Sequence, residues 1–279
     1  MSTPRAVAFA FTPTLANEAK GVTIRRSIGG ERLAILDPFM LLDHASIAPS
    51  ENSETVGFPR HPHRGIETLS YVLKGRVGHK DSMGNEGHVG PGGTQWMTAG
   101  NGIYHEEMLL PEEDGAEFLQ LWFSLPQSQK RIPASYEGVA GENVSQVERN
   151  GVTVRIVAGQ FEGKAGAFTD IAVQPTILDI QIETSGGLSF ATPPNDAAFL
   201  YLVSGSVEIE GRPLSGNQMI VLSKGDQLSI KTEAGARLLY VGAKPLDEPI
   251  VQYRSFVMNT VEDIHETIAM MEAGTFANG

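Results

Sequence analysis

The chain has 279 residues, 41% of them hydrophobic, and carries 21 basic against 33 acidic side chains, for a net charge of −12. This balance argues against a nucleic-acid binder, which needs a basic surface, and against an anionic membrane surface as partner. No transmembrane run or secretory signal is found, and the lack of cysteine excludes disulfides and thiolate chemistry. We therefore expect a soluble, cytoplasmic protein.

Short apolar runs separated by turn residues follow one another along the chain. They lie at residues 68–73, 118–123, 176–182, 198–203 and 237–241. Glycine contributes 31 residues, scattered between such runs, which is typical of strands joined by tight turns. This pattern predicts an all-β sandwich or barrel.

One short helix is predicted near the C-terminus. Thr260 can serve as its N-cap, with Asp263 three residues later as an imperfect capping box. Apolar residues then recur at helical spacing, at positions 261, 264, 268 and 271. Gly274 can end the helix.

An internal repeat indicates two similar β-barrel units in tandem. Residues 71–77 resemble residues 201–207, and residues 93–95 resemble residues 216–218. A polar, Pro/Gly-punctuated segment at 125–150 separates the two copies and is expected to be the crossover.

The two units are expected to differ in chemistry. We assign residues 1–137 to an N-terminal domain and residues 138–279 to a C-terminal domain. Six of the seven histidines lie in the first 105 residues, so the N-terminal domain is expected to carry the site. The positions in the second copy that correspond to the candidate ligands have no metal-binding side chains, namely Ala191, Pro193, Leu228 and Ile230. The C-terminal domain is therefore expected to hold no metal there.

Two pairs of ligand-type residues carry the chemical signal. His61 and His63 are two residues apart, so on a strand both imidazoles point to the same side. His105 and Glu107 repeat this spacing. Two such strands side by side would bring three imidazoles and one carboxylate to one centre. This set suits a divalent first-row metal ion with open coordination positions.

One further carboxylate is an alternative metal ligand, and three further histidines are expected to be exposed or structural. Glu67 has the same strand parity as His61 and His63, so it competes with Glu107 as the fourth ligand, and the other could orient a ligand histidine. Two histidines, His79 and His88, flank a turn-rich hairpin and are expected to be exposed. His44 follows a packed connecting segment and is expected to be structural.

The residues around these ligands resemble the pirin family of the cupin superfamily. The likeness is densest at residues 57–68 and 95–108, is preceded by residues 37–43, and continues through residues 121–122 and 199–205. The resemblance implies a bicupin, two β-sandwich barrels packed together, with one mononuclear iron, expected as Fe(II), in the N-terminal barrel. The family's ligands correspond to His61, His63, His105 and Glu107. The general cupin pattern would allow Glu67, so it is the resemblance to pirins that favours Glu107.

The same resemblance implies two kinds of activity. Several members look like quercetin 2,3-dioxygenases, which open a flavonol ring with O2, and here Glu107 would take the proton of the substrate hydroxyl. For such an enzyme, the binding partners would be a small aromatic substrate and O2. Other members are regulators, so the alternative is a non-catalytic, iron-containing redox sensor that binds a protein partner. A cupin isomerase or lyase using the same site is a third reading.

Overall fold

The structure is a computed structural model that describes residues 2–16, 18, 21–49 and 56–277. Its strands, in chain order, are β1 (Val7–Phe11), β2 (Thr14–Ala16), β3 (Thr23–Ile28), β4 (Phe39–Ile47), β5 (Val56–His63), β6 (Ile66–Lys74), β7 (Arg76–Asp81), β8 (Glu86–Val89), β9 (Thr94–Thr98), β10 (Ile103–Leu110), β11 (Ala116–Ser124), β12 (Ser135–Val139), β13 (Gln146–Arg149), β14 (Val152–Ala158), β15 (Gln160–Phe161), β16 (Lys164–Ala165), β17 (Thr176–Ile182), β18 (Gly186–Ala191), β19 (Ala197–Ile209), β20 (Arg212–Ser215), β21 (Gln218–Leu222), β22 (Gln227–Thr232), β23 (Ala236–Ala243), β24 (Val251–Tyr253) and β25 (Phe256–Met258). Helix α1 spans Val261–Glu272.

The chain forms two compact units. The first unit contains residues 14–143 and 246–277, and the second contains residues 2–13 and 144–245, within the described ranges. The predicted domains, 1–137 and 138–279, differ from these units mainly at the two chain ends. The physical reason is that the N-terminal strand pairs within the second unit, whereas the C-terminal segment hydrogen-bonds within the first. Strand β1 pairs with β21 of the second unit, and the backbone N–H of Val257 donates to the carbonyl of Arg64 in the first unit, 3.0 Å away.

The first unit is a sandwich of two antiparallel sheets. One has seven strands in the order β12-β9-β6-β11-β4-β3-β2, and the other has four in the order β5-β10-β7-β8. Their inner faces share a core: Phe58 of β5 meets Phe118 of β11 edge-on, with ring centroids 6.5 Å apart, and Val72, Val77 and Leu109 are buried beside Phe118. This arrangement confirms the predicted all-β class.

The second unit is also built from antiparallel strands. Its sheet runs β1-β21-β19-β23-β17-β14-β13, with β18, β20 and β22 attached beside that path, and β15 and β16 form a small hairpin. Its interior is filled by aliphatic and aromatic side chains, which include Leu228 and Ile230. The two tandem β units that the repeat predicted are present.

The predicted C-terminal helix is confirmed in detail. Thr260 is the N-cap and forms a full capping box with Asp263. Gly274, just past the helix, has a φ of +67°, a conformation that suits glycine after a helix C-terminus. Within the described residues, no helix combines the length and apolarity needed to cross a bilayer.

A hydrogen-bonded pair ties two strands of the larger sheet together in the first unit. Nε2 of His44 in β4 lies 2.6 Å from Oε1 of Glu117 in β11, and Nζ of Lys74 lies 3.3 Å from Oε2 of the same carboxylate. The hydrogen bond to His44 is the main reason why the pKa of Glu117 falls from 4.5 to about 2, although burial opposes the shift. His44 therefore has the structural role that we predicted.

We expect Glu117→Gln to lower the free energy of unfolding by about 2 kcal/mol at pH 7, because it removes a charge-assisted hydrogen bond of a mostly buried pair. A carboxylate with a lowered pKa stabilises the fold above its unfolded pKa and loses that contribution as the pH falls. The difference between wild type and variant should therefore shrink between pH 4.5 and 2. Urea unfolding at several pH values measures it. The exposed Glu86→Gln is the control, and a difference that stayed constant down to pH 3 would contradict the assignment.

Candidate metal centre

The pairing of β5 with β10 brings the predicted histidines together. His105 lies opposite His61, and Ile103 lies opposite His63. Along β10, alternate residues from Ile103 to Leu109 are buried, so His105 and Glu107 share the inner face as predicted. The ring centroids of His105 lie 4.4 Å from His61 and 4.9 Å from His63. The three rings thus surround one point.

A β-bulge shapes this strand pair. The register shifts so that Glu107 lies opposite Phe58, which leaves two residues of β5, Pro59 and Arg60, against the single residue Glu106 of β10. Proline has no N–H to donate to a ladder and is tolerated at such bulges. The carbonyl of Pro59 lies 2.8 Å from Nδ1 of His61. This contact orients the His61 ring and leaves its Nε2 available as a ligand.

The three histidines form a site suited to a metal ion. One nitrogen from each ring lies within 4.8 Å of the others. Nδ1 of His63 and Nε2 of His105 are buried and have no hydrogen-bond partner, although buried polar atoms normally have one. Burial lowers the pKa of His61, and lowers those of His63 and His105 well below the ordinary value. Neutral imidazoles are the form that binds metals.

Glu107 lies beside this group with its own contacts. Its side chain is 5% exposed, and Oε1 accepts a hydrogen bond from Oγ of Ser70 on the facing sheet. Oγ of Ser70 also lies 2.7 Å from Oε1 of Gln120. Burial raises the pKa of Glu107 to about 7, although the Ser70 hydrogen bond opposes the rise. The metal-binding role of Glu107 stays a prediction.

Glu67 occupies a different position from its competitor. It lies in β6, three residues before Ser70, and residues three apart on a strand face opposite sides of the sheet. Because Ser70 points to Glu107, Glu67 points away from it, and Oγ1 of Thr98 donates to Oε1 of Glu67 at 3.0 Å. The shared parity of Glu67 with His61 and His63 therefore does not survive the turn between β5 and β6.

An apolar cavity opens onto the histidines. Its volume is ≈ 320 Å³, which lies near the lower end for small-molecule sites. Aliphatic and aromatic side chains form much of its wall, and they are Leu41, Ala45, Phe58, Phe118 and Trp122. The Trp122 ring meets the ring of His63 edge-on, with centroids 4.9 Å apart. Gln120, which lies next to Ser70, adds an uncharged polar group to the wall.

On the charged side of the cavity, an arginine is paired with two carboxylates of the protein. Arg26 makes two hydrogen bonds to Asp43, at 2.9 and 2.6 Å, and two to Glu18, at 2.5 and 2.8 Å. Such fork-shaped pairs use most of the donors of a guanidinium. Arg26 is therefore committed to protein carboxylates. Arg60, at the rim, lies 4.0 Å above the Tyr104 ring.

One prediction about the histidines is wrong. His88 is exposed as expected, but His79 is 4% exposed, because it lies on β7 directly opposite Glu107 of β10. Its Nδ1 lies 3.5 Å from Nδ1 of His105. The available signal was the spacing of His79 and Asp81, which repeats the i, i+2 pattern of His61 and His63. Ser70, Gln120, Arg26 and Trp122 carried no comparable sequence signal.

Comparison with known proteins agrees with the resemblance noted from the sequence. A family model described as Pirin matches residues 21–123, and a model described as Pirin C-terminal cupin domain matches residues 177–277. A Pseudomonas aeruginosa protein provisionally named quercetin 2,3-dioxygenase is 40% identical over 270 residues, covering 94% of each chain. Pirin from Rattus norvegicus is 38% identical and covers 90% of this chain and 87% of its own.

Solved structures show the same architecture. The crystal structure of a quercetin 2,3-dioxygenase from Acinetobacter baumannii superposes with a TM-score of 0.90, at 30% identity, over 98% of both chains. A second structure with that name from the same organism has a TM-score of 0.84 at 24% identity. The latter likeness supports the fold alone.

Proposed function

Because the chain belongs to the pirin family, we propose that it is an iron-dependent dioxygenase that cleaves a flavonol-type substrate such as quercetin with O2. The observation that carries the proposal is the position of His61, His63 and His105 around one point beneath an apolar cavity. The names of similar proteins favour this reaction over other cupin chemistries. For its location we propose the cytoplasm, as the acidic, cysteine-free composition predicts.

The donor set fits one divalent transition-metal ion. Three neutral imidazoles with two unpartnered buried nitrogens form the core of the site, and Glu107 would complete it on the inner face of β10. We propose Fe(II) as the resident ion. When bound, such an ion acts as a Lewis acid that lowers the pKa of a substrate hydroxyl.

Glu107 is proposed as the base that takes the proton of that hydroxyl. Its side chain lines the same cavity as His61 and His63, so a carboxylate beside the bound ion would lie within reach of the substrate hydroxyl. The Ser70 hydroxyl donates to the carboxylate and holds it in place. In the overall reaction, both atoms of O2 enter the ring-opened product and one ring carbon leaves as carbon monoxide.

The cavity supports a planar and uncharged substrate. Its aromatic and aliphatic walls would contact the faces of an aromatic ring system and keep bulk water from the reacting atoms. Arg26 is bonded to Asp43 and Glu18, so it offers little to a substrate carboxylate. A flavonol, whose polar groups are hydroxyls and one carbonyl, matches this lining better than an organic acid does.

The test is anaerobic loading with Fe(II) followed by addition of quercetin and O2. We expect loss of flavonol absorbance, uptake of one O2 per flavonol and release of one carbon monoxide. His63→Ala should abolish this turnover, because it removes a buried ligand, whereas the exposed His88→Ala should retain it.

The outcomes separate the proposed enzyme from its alternatives. One metal ion per chain without O2 uptake would overturn the dioxygenase and favour the redox-sensing regulator, whose binding partner would then be sought in both iron oxidation states. Turnover of a small molecule without O2 would instead favour a cupin isomerase or lyase.

A further inference from the structure

A buried chain of three side chains extends from the candidate metal centre into the neighbouring strand. Nδ1 of His105 lies 3.5 Å from Nδ1 of His79, and Nε2 of His79 lies 3.1 Å from Oδ2 of Asp81. The side chains of His79 and Asp81 are 2% and 0% exposed. We propose that Asp81 and His79 are positioning residues that fix His105 in the tautomer whose Nε2 lone pair faces the other two histidines.

The chain starts from a carboxylate that is held rigidly. Oδ1 of Asp81 accepts hydrogen bonds from the backbone N–H groups of Met83 and Asn85, at 2.9 and 3.0 Å. Oδ2 accepts one from the Asn85 side-chain amide at 2.8 Å. An ionised carboxylate can only accept hydrogen bonds. The nitrogen that faces it, Nε2 of His79, must therefore carry the proton.

The protonation pattern then propagates to the metal centre. A neutral imidazole has one N–H and one acceptor nitrogen, so Nδ1 of His79 is an acceptor. Nδ1 of His105 must be the donor in this pair, which leaves Nε2 of His105 with its lone pair. This Nε2 is buried and has no hydrogen-bond partner. The atom left free by the chain is therefore the atom that a metal ion would use.

Two features fix the geometry of this relay, the chain of side chains from Asp81 through His79 to His105. The rings of His79 and Tyr136 are stacked with centroids 3.8 Å apart and planes 7° apart, which holds the orientation of the His79 ring. In the β7–β10 ladder, Asp81 lies opposite His105, and His79 lies opposite Glu107, so the relay crosses the strand pair diagonally. The 3.5 Å separation is long for a hydrogen bond, and we expect it to shorten when His105 binds a metal ion.

This inference rests on the proposed metal centre, and the test separates the two. The variant is His79→Phe, which keeps a ring for stacking on Tyr136 but removes the acceptor. The control is His88→Phe, the same substitution at an exposed position of the same hairpin. Ni²⁺ affinity is measured by calorimetry. We expect His79→Phe to weaken binding ~10–100-fold, as loss of an outer hydrogen-bond partner does, and His88→Phe to bind like wild type.

A tautomer measurement distinguishes positioning from a loss of packing. In ¹⁵N-labelled, Zn²⁺-loaded wild type, long-range ¹H–¹⁵N spectra should show the proton of His105 on Nδ1 and that of His79 on Nε2. His79→Asn, which retains an acceptor oxygen near the place of Nδ1, should restore most of the affinity. The spectra of the wild type test the idea even if His79→Phe does not fold.

The results of these measurements distinguish failure of the metal centre from failure of the positioning role. A wild type that binds no Ni²⁺ would overturn the metal centre itself. A wild type that binds Ni²⁺, with His79→Phe equal to His88→Phe, would overturn the relay alone. A His105 protonated on Nε2 in the Zn²⁺-loaded protein would also overturn it.

Discussion

Glu107→Gln is expected to lower kcat for flavonol cleavage ~10²–10⁴-fold, the range for loss of a general base. The substitution keeps the size of the side chain and its contact with Ser70 but removes the negative charge that would take the substrate proton. Three histidines remain in the site, so saturating Fe(II) should still give one ion per chain. Steady-state O2 uptake and metal analysis of the same samples measure both quantities.

Glu67→Gln is the matched control for this variant. Glu67 is 2% exposed, and it lies on the opposite face of β6 from Ser70. The two variants therefore remove the same charge from equally buried positions that differ in where they point. We expect Glu67→Gln to retain kcat within a few-fold. Equal losses in the two variants, or a larger loss at Glu67, would contradict the assignment of Glu107.

The second large effect is expected at the turn between β5 and β6. Gly65 has a φ of +74°, and a Cβ on it would lie 2.1 Å from the carbonyl oxygen of Val257. That backbone is held in place, since Nζ of Lys130 donates to the carbonyls of both Gly65 and Val257 at 2.8 Å. We expect Gly65→Ala to lower the free energy of unfolding by about 3 kcal/mol or more, because backbone strain and overpacking add.

Gly84→Ala isolates the close approach from the strain. Gly84 has a φ of +90°, and nothing lies within 4 Å of the Cβ position. Its variant should lose only about 1–2 kcal/mol, the cost of a left-handed conformation. Urea unfolding of both variants gives the comparison. Equal losses in the free energy of unfolding would mean that the close approach of Val257 contributes nothing to the effect of Gly65→Ala.

Local patterns predicted much of the first unit, including the inner face of its ligand strands. The i, i+2 spacing of His105 and Glu107 placed both side chains on one side of their strand correctly, as the alternating burial from Ile103 to Leu109 shows. The same reasoning failed for Glu67, because the left-handed turn at Gly65 interrupts the alternation between β5 and β6. Parity holds within a strand and ends at its turns.

Long-range pairing explains the remaining differences. His79 was expected on an exposed hairpin, but the β7–β10 ladder turns its side chain inward beside His105. The neutralisation of Arg26 by Asp43 and Glu18 depends on partners 17 and 8 residues away along the chain. Neither short-range spacing nor composition determines which strands become neighbours, so the spacing of His79 and Asp81 could not by itself place them beside His105.

Because the two ends of the chain belong to different units, the units become complete at different times during synthesis. The second unit needs residues 2–13 and is complete at residue 245, whereas the first unit still lacks residues 246–277 at that point. Since domains tend to fold as units while the ribosome extends the chain, the unit whose larger part, residues 144–245, comes later in the sequence can be completed first. All three histidines are synthesised long before that point, yet Val257, whose backbone N–H donates to the carbonyl of Arg64, is synthesised only after it. Closure of the backbone behind the proposed metal centre would thus follow synthesis of the whole second unit.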